Sequence, residues 1–413
     1  MQQRKKLLAK RLLKFTRRTQ TLPREVYILS GVSFFVAVGF GLIVPAIPLF
    51  AQTFGVNKTA VGFIISTFAF ARFGSGLISG KLVDKFGERV VLGTGLFFVA
   101  ISSLLSGLAQ SYWQLLIFRS AGGLGSSMFS VAASALLMRS VADNQLGRAQ
   151  SMYNSGFLIG GIAGPSFGGL LTGISLRAPF FVYAITLTCG GILTFIALNE
   201  KRLGLKSSGK QDPLDRILIR DALKNFPYRS ALAFAFLINW VLFGMRNSIL
   251  PLFVRDKLHG SPSIIGYGFT LSAIAQALIL MYAGRQSDFR GRRFVILVGS
   301  SLLTLGVGTL VIANAQWYYF LAMVIFGLGG AFMGTGHANI VGDVFKGKGG
   351  QVVAVWQMAG DAGMIVAPIL LGFLSDRYSY HTALVVTMGV AAIAFVLALY
   401  LPETRTQDEE LLK

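Results

Sequence analysis

The chain has 413 residues, of which 54% are hydrophobic and only 13% charged. Soluble domains carry about 25% charged residues, so this composition excludes a single water-soluble core and fits a bilayer as solvent. The net charge of +21 would suggest nucleic acid in a soluble chain. Here nine of the 38 basic residues fall within the first 24 positions, directly before an apolar stretch, which is the pattern of a positively charged anchor beside anionic lipid.

The expected fold class is an all-α polytopic membrane protein. Twelve apolar segments of near-spanning length occupy residues 27–51, 59–79, 90–110, 112–138, 148–173, 178–199, 230–253, 263–283, 293–315, 317–341, 350–374 and 381–401. The first is too long for the h-region of a cleaved signal. The organisation is then a basic N-terminal segment (1–26), a six-helix bundle (27–199), a linker (200–229), a second six-helix bundle (230–401) and a tail (402–413). Within the linker, residues 214–223 have the spacing of a surface helix on the membrane face. The single cysteine, Cys189, rules out an intrachain disulfide and supports no thiolate metal site.

The basic residues give orientation. Thirty Lys and Arg lie on the side of both termini and five on the other: Lys58, Arg177, Arg255, Lys257 and Arg377. That bias predicts both termini in the cytoplasm of a multi-pass plasma-membrane protein. The halves also repeat. Pro48-Leu49-Phe50 matches Pro251-Leu252-Phe253, Gly80, Asp84 and Gly87 match Gly284, Asp288 and Gly291, and Gly164-Pro165 matches Ala367-Pro368, all near one offset of about 203. Two pseudo-symmetric six-helix bundles with a cavity between them, each tilting against the other, follow from such a duplication.

Between segments two and three runs Gly80-Lys81-Leu82-Val83-Asp84-Lys85-Phe86-Gly87-Glu88-Arg89. Its second copy is Gly284-Arg285-Gln286-Ser287-Asp288-Phe289-Arg290-Gly291-Arg292-Arg293. Both read as glycine turns with a polar latch: Gly80, Asp84, Gly87 and Arg89, then Gly284, Asp288, Gly291 and Arg292. They resemble the loop signature of the major facilitator superfamily. The resemblance runs from Tyr27 to Glu403 and includes Leu401-Pro402-Glu403-Thr404 after the last helix. It implies twelve helices, secondary transport by alternating access, and an Asp84 that contacts the start of helix eleven to hold an outward-open state. An anion is favoured at a helix N-terminus. The plainer reading is a positive-inside turn.

Further chemistry lies inside the spans. Arg119 stands in an apolar fourth segment, where an unpaired Arg at mid-bilayer costs at least ~2.5–3.5 kcal/mol. Its surroundings are similar to the family's helix-four signature, which implicates this Arg in proton coupling, although Gly122 replaces the usual Gln. A structural Arg bonded to carbonyls is the alternative. The fifth segment carries Gly160, Gly164, Pro165, Gly168 and Gly169, a small-residue face with a bend suited to a hinge or seal between halves. It is similar to the family's helix-five antiporter signature, which implies export; as a generic packing face it implies no direction. Asp361 is the one acidic residue deep within a span, and a buried carboxyl can be neutral near physiological pH. Asp361, Arg119 and Arg72 are therefore the proton-coupling candidates, with Asp361 alternatively serving only as an arginine's structural partner. Arg246 shares a helical face with Asn239 and Phe243; an arginine facing the cavity would favour an anionic or zwitterionic substrate. Phe35, Asn239, Trp240, Phe243, Arg246, Trp356 and Gln357 are the substrate-cavity candidates.

The expected function is proton-coupled export of hydrophobic or amphiphilic small molecules by a multidrug-type antiporter. Uptake or facilitated transport of a small metabolite, such as a sugar or an organic anion, is the alternative within transport. A scramblase or sensor is the alternative outside it. No phosphate-binding glycine loop, His/Cys metal cluster or nucleophile–base pair is present in the sequence, so no enzyme, cofactor or metal is expected, and an ion or substrate gradient must supply the energy. The expected partners are a small-molecule substrate, protons and the lipid bilayer, without nucleic acid. Each chain holds a complete cavity and is expected to act as a monomer.

Overall fold

A computed structural model of the protein describes residues 22–141, 145–198, 219–345 and 350–404. The basic tail up to residue 21 and most of the linker, including residues 214–218 of the expected surface helix, lie outside these. Ile219–Ala222 forms a single helical turn.

Among the described residues, twelve helices are long and apolar enough to cross a membrane. In chain order they are α1 (Arg24–Gln52), α2 (Lys58–Phe86), α3 (Glu88–Leu108), α4 (Tyr112–Ser140), α5 (Arg148–Ile174), α6 (Ala178–Ala197), α7 (Phe226–Asp256), α8 (Pro262–Arg290), α9 (Arg292–Val311), α10 (Gln316–Val344), α11 (Val352–Arg377) and α12 (Tyr380–Tyr400). An even number of crossings puts residues 22 and 404 on one side, called here the terminal side; the other is the distal side. Large apolar side chains such as Leu77, Ile174, Ile196 and Leu278 point outward and are largely exposed, as a lipid-facing surface requires.

Helix starts follow local chemistry. Asn57, Ser111, Ser261 and Ser379 each accept a hydrogen bond from a backbone N–H in the first turn of α2, α4, α8 and α12. The ends differ from hydropathy. α2 continues to Phe86 and α8 to Arg290, seven residues beyond the expected apolar limits of 79 and 283. Hydropathy marks where hydrocarbon ends, whereas the backbone ladder persists into the interface. The expected gating loops are thus mostly helix. The true turns are single residues, Gly87 at φ 80° and Gly291 at φ 97°, in the left-handed region that glycine enters without steric cost.

Two helices are interrupted where they face the centre. α1 breaks at Val44-Pro45, because Pro45 has no N–H to continue the ladder. α7 passes through a π-helical stretch, Trp240–Met245, a feature often found at functional sites.

Within the first half, α1 and α5 pack at backbone distance. A Cβ on Gly156, Gly160, Gly164 or Gly168 would lie 2.2–2.7 Å from the nearest atom of α1, so only glycine fits. Ser30 and Ser33 of α1 donate to the Met152 and Tyr153 carbonyls of α5 at 2.8 and 2.9 Å. Most of the expected interdomain seal therefore lies inside one half. Only Gly169 and the Pro165 carbonyl meet the second half, at Gly266.

The halves join through two symmetry-related seams, α2 against α11 and α5 against α8. A Cβ on Gly62 would lie 2.2 Å from the Pro368 carbonyl oxygen, and one on Gly266 would lie 2.4 Å from that of Pro165. Ser66 donates to the Ile365 carbonyl at 2.6 Å, and Thr270 donates to that of Ile162 at 3.1 Å. These pairs sit at matching positions of the repeat. On the distal side Asp376 adds a cap on α2, accepting from the Lys58 and Thr59 N–H groups at 3.0 and 2.8 Å, where the helix dipole favours an anion. Arg255 of α7 also donates to Gln52 of α1. The polar bonds between described residues of the two halves all fall between mid-depth and the distal side.

Candidate transport cavity

With the distal side sealed, a cavity of about 630 Å³ lies between the halves. It extends from Val44 and Ile47 past mid-depth to Ser130 and Asn154, toward the terminal side. Its wall is mostly apolar, with Phe40, Phe68, Phe129, Phe157, Phe243 and Phe269, and it carries three arginines, Arg72, Arg119 and Arg246. No carboxylate lines it among the described residues.

Arg72 of α2 pairs with Asp361 of α11 through Nη2 and Oδ1, so two of the three coupling candidates meet across the α2–α11 seam. Arg72 also approaches the Met364 sulfur at 3.8 Å. The matching point of the α5–α8 seam has Leu158 and Gln276, both facing the cavity, and no ion pair. The two-fold relation is broken at this ion pair.

Arg119, the third candidate, is apart from this pair. It is 3% exposed, its guanidinium carbon lies 4.3 Å from the centre of the Phe68 ring, and its Nη1 has no hydrogen-bond acceptor. Arg246 lies 5.2 Å over the Phe269 ring and donates to Ser272 at 3.3 Å, while its Nε is unsatisfied. A guanidinium stacked on a ring uses its face and keeps its in-plane N–H groups for other partners.

Of the seven substrate-cavity candidates, Asn239, Phe243 and Arg246 line the cavity together with Asn247. The π-helical stretch of α7 adds a residue to the turn and turns both Arg246 and Asn247 inward. The other four are placed elsewhere. Phe35 lies against Phe34 and Gly190 of α6. Trp240 is buried against Phe236 and the Gly363 backbone. Trp356 packs on His337, whose Nδ1 is bonded to the Met333 carbonyl at 2.7 Å. Gln357 is exposed outside the cavity wall. Sequence reasoning missed Asn154 and Gln276, which line the cavity from α5 and α8. A polar amide inside an apolar span was the available signal, and Gln276 also stands at the repeat position of Arg72.

At the terminal rim, Asp84 is exposed and makes no ion pair among the described residues; the residues just before helix eleven, 346–349, lie outside these. The first-half rim is held instead by Glu88 of α3 with Arg139 at the end of α4, 2.6 Å apart, and by Arg89 donating to the Phe195 carbonyl. In the second half Arg292 of α9 bonds Asp343 at the end of α10 at 2.8 Å and Asp288 at 2.9 Å. Glu403 accepts from the Arg292 and Arg293 N–H groups at 2.8 and 3.3 Å. Positions 88 and 292, and 139 and 343, are each 204 apart, so the same structural bond is made with opposite polarity. Gly80 and Gly284 face open space.

Twelve spanning helices among the described residues, halves related by a two-fold repeat and a central cavity closed at one end define the architecture of a membrane transporter. Residues 29–257 and 232–413 match the Major Facilitator Superfamily, and the chain belongs to that family. It is similar to the multidrug resistance protein MdtG of Proteus mirabilis, at 28% identity over 93% of this chain and 96% of that protein. It is also similar to the quinolone resistance protein NorA of Staphylococcus aureus, at 21% identity over 94% and 99%. Among solved structures, a bacterial homologue of the human lysosomal transporter Spinster, in an inward-facing and unoccupied conformation, superposes with a TM-score of 0.77. Its identity is 15%, covering 94% of this chain and all of that one.

Proposed function

We propose that the protein exports amphiphilic small molecules from the cytoplasm in exchange for protons, with both termini cytoplasmic. The observation that carries the reading is the Arg72–Asp361 pair, a titratable bond between the halves at mid-depth and beside the cavity. The names of MdtG and NorA support drug efflux as the direction, and the apolar, phenylalanine-rich wall supports an amphiphilic cargo. In this reading Asp361 is ionised and tied to Arg72 while the cavity faces the cytoplasm. After the halves tilt, the carboxyl takes a proton from the outside, the bond is released, and loss of that proton to the cytoplasm restores it. A shift between two such states needs only that the proton bind one of them better.

The test is transport in everted vesicles or proteoliposomes with an imposed pH gradient. Gradient-driven accumulation of a fluorescent amphiphile, lost in Asp361→Asn, is expected. Accumulation that ignores the gradient, or cargo moving with protons instead of against them, overturns the reading.

A further inference from the structure

We propose that the cavity is built for an amphiphilic anion, held by Arg119 of the first half and Arg246 of the second, with its apolar body against the phenylalanine wall. This rests on the export reading and narrows its cargo.

The argument is one of charge and unmet bonds. Arg72 is already neutralised by Asp361. That leaves two guanidinium groups on the wall with no carboxylate partner among the described residues. Each has a buried N–H with no acceptor, Nη1 of Arg119 and Nε of Arg246. The titratable groups that act on them electrostatically are phenols, Tyr183 and Tyr319 respectively, which supply no charge as neutral hydroxyls. An unpaired charge away from bulk water is unfavourable until a counter-charge arrives. Phe68 and Phe269 occupy one ring face of each arginine, and apart from the Arg246 Nη1 bond to Ser272 their in-plane N–H groups make no hydrogen bond among the described residues, which suits a bidentate acceptor such as a carboxylate or phosphate. The fork matches a planar or tetrahedral anion, whereas a lipophilic ammonium would meet arginines with no carboxylate among the described lining residues to offset them.

Placing one anchor in each half also gives the cargo a mechanical role. An anion that satisfies Arg119 and Arg246 together would bridge the two bundles across the cavity. Its departure as a negative charge would be assisted by an inside-negative membrane potential, in the same sense as proton entry.

Three probes that share one apolar body test the idea: pyrenebutyrate, pyrenebutylammonium and pyrenebutanol, titrated by fluorescence into the full chain in lipid nanodiscs. Pyrenebutyrate is expected to bind at least tenfold more tightly than the ammonium. Arg119→Gln and Arg246→Gln should each remove most of that preference while retaining pyrenebutanol binding, which reports an intact cavity. Arg246→Lys should retain part of it, and Arg293→Gln, outside the cavity, should leave it unchanged. Equal or tighter binding of the ammonium by the unmodified protein overturns the inference and leaves amphiphile export standing. Anion preference without gradient-driven transport removes the export reading and leaves the anion site standing.

Discussion

Asp361 was legible as the one acidic side chain deep in a span, but its partner was not, because Arg72 lies 289 positions away and Arg119 and Arg246 were equal contenders. Only the α2–α11 seam selects among them. Removing one member of a buried pair leaves the other charge uncompensated, typically costing about 3–5 kcal/mol. The pair is only partly buried, the two side chains being 29% and 20% exposed, which lowers that figure here. Asp361→Asn should therefore fold, bind cargo and lose at least tenfold in proton-driven transport, whereas Arg72→Asp with Asp361→Arg should recover part of the seam's thermal stability. If the single variant couples normally in a pH-jump assay, the carboxylate is only a structural strut. The unsatisfied nitrogens of Arg119 and Arg246 could not be foreseen, because sequence shows that an arginine is intramembrane without showing what it lacks.

Helices α2, α5, α8 and α11 carry the distal seal, and their glycines address particular carbonyls. Gly62→Val or Gly266→Val would drive a side chain into the Pro368 or Pro165 carbonyl and weaken the closed seam. In a Cys189→Ser background, spin labels at Gln110 and Ile312 on the distal ends of the two halves should report a longer separation in either variant. An unchanged distance distribution would show that the seam yields elsewhere. The rim offers a second test of element packing. Glu88→Arg places two cations at the α3–α4 contact and should lower the melting temperature. Adding Arg139→Asp, which copies the polarity of Arg292 with Asp343, should restore it, with a coupling of about 0.5–3 kcal/mol for directly bonded residues. Recovery no better than the sum of the single effects would mean that the pair is incidental. The small-residue face of α5 was visible as glycines at spacings of three and four, but its neighbour was not: the stripe addresses α1, and only Gly169 reaches across.

For the molecule as a whole, the six-plus-six plan was readable because the apolar segments and the repeat offset extend over the entire chain. The conformation was not. A transporter's sequence must support two arrangements of similar free energy, and neither hydropathy nor the repeat chooses between them. Asn154→Cys and Ser130→Cys, in the Cys189→Ser background, should react with a membrane-impermeant maleimide in everted vesicles and resist it in intact cells. Equal labelling from both faces would contradict the distal closure, and the reverse pattern would contradict the orientation. The reversed rim pairs carry a consequence of another kind. Two repeats in one gene invite recombination between themselves, yet a copy of α4 overwritten by α10 would set Asp343 against Glu88, and the reciprocal exchange would set Arg139 against Arg292. The opposite polarity of those two bonds makes either product self-repelling at the rim.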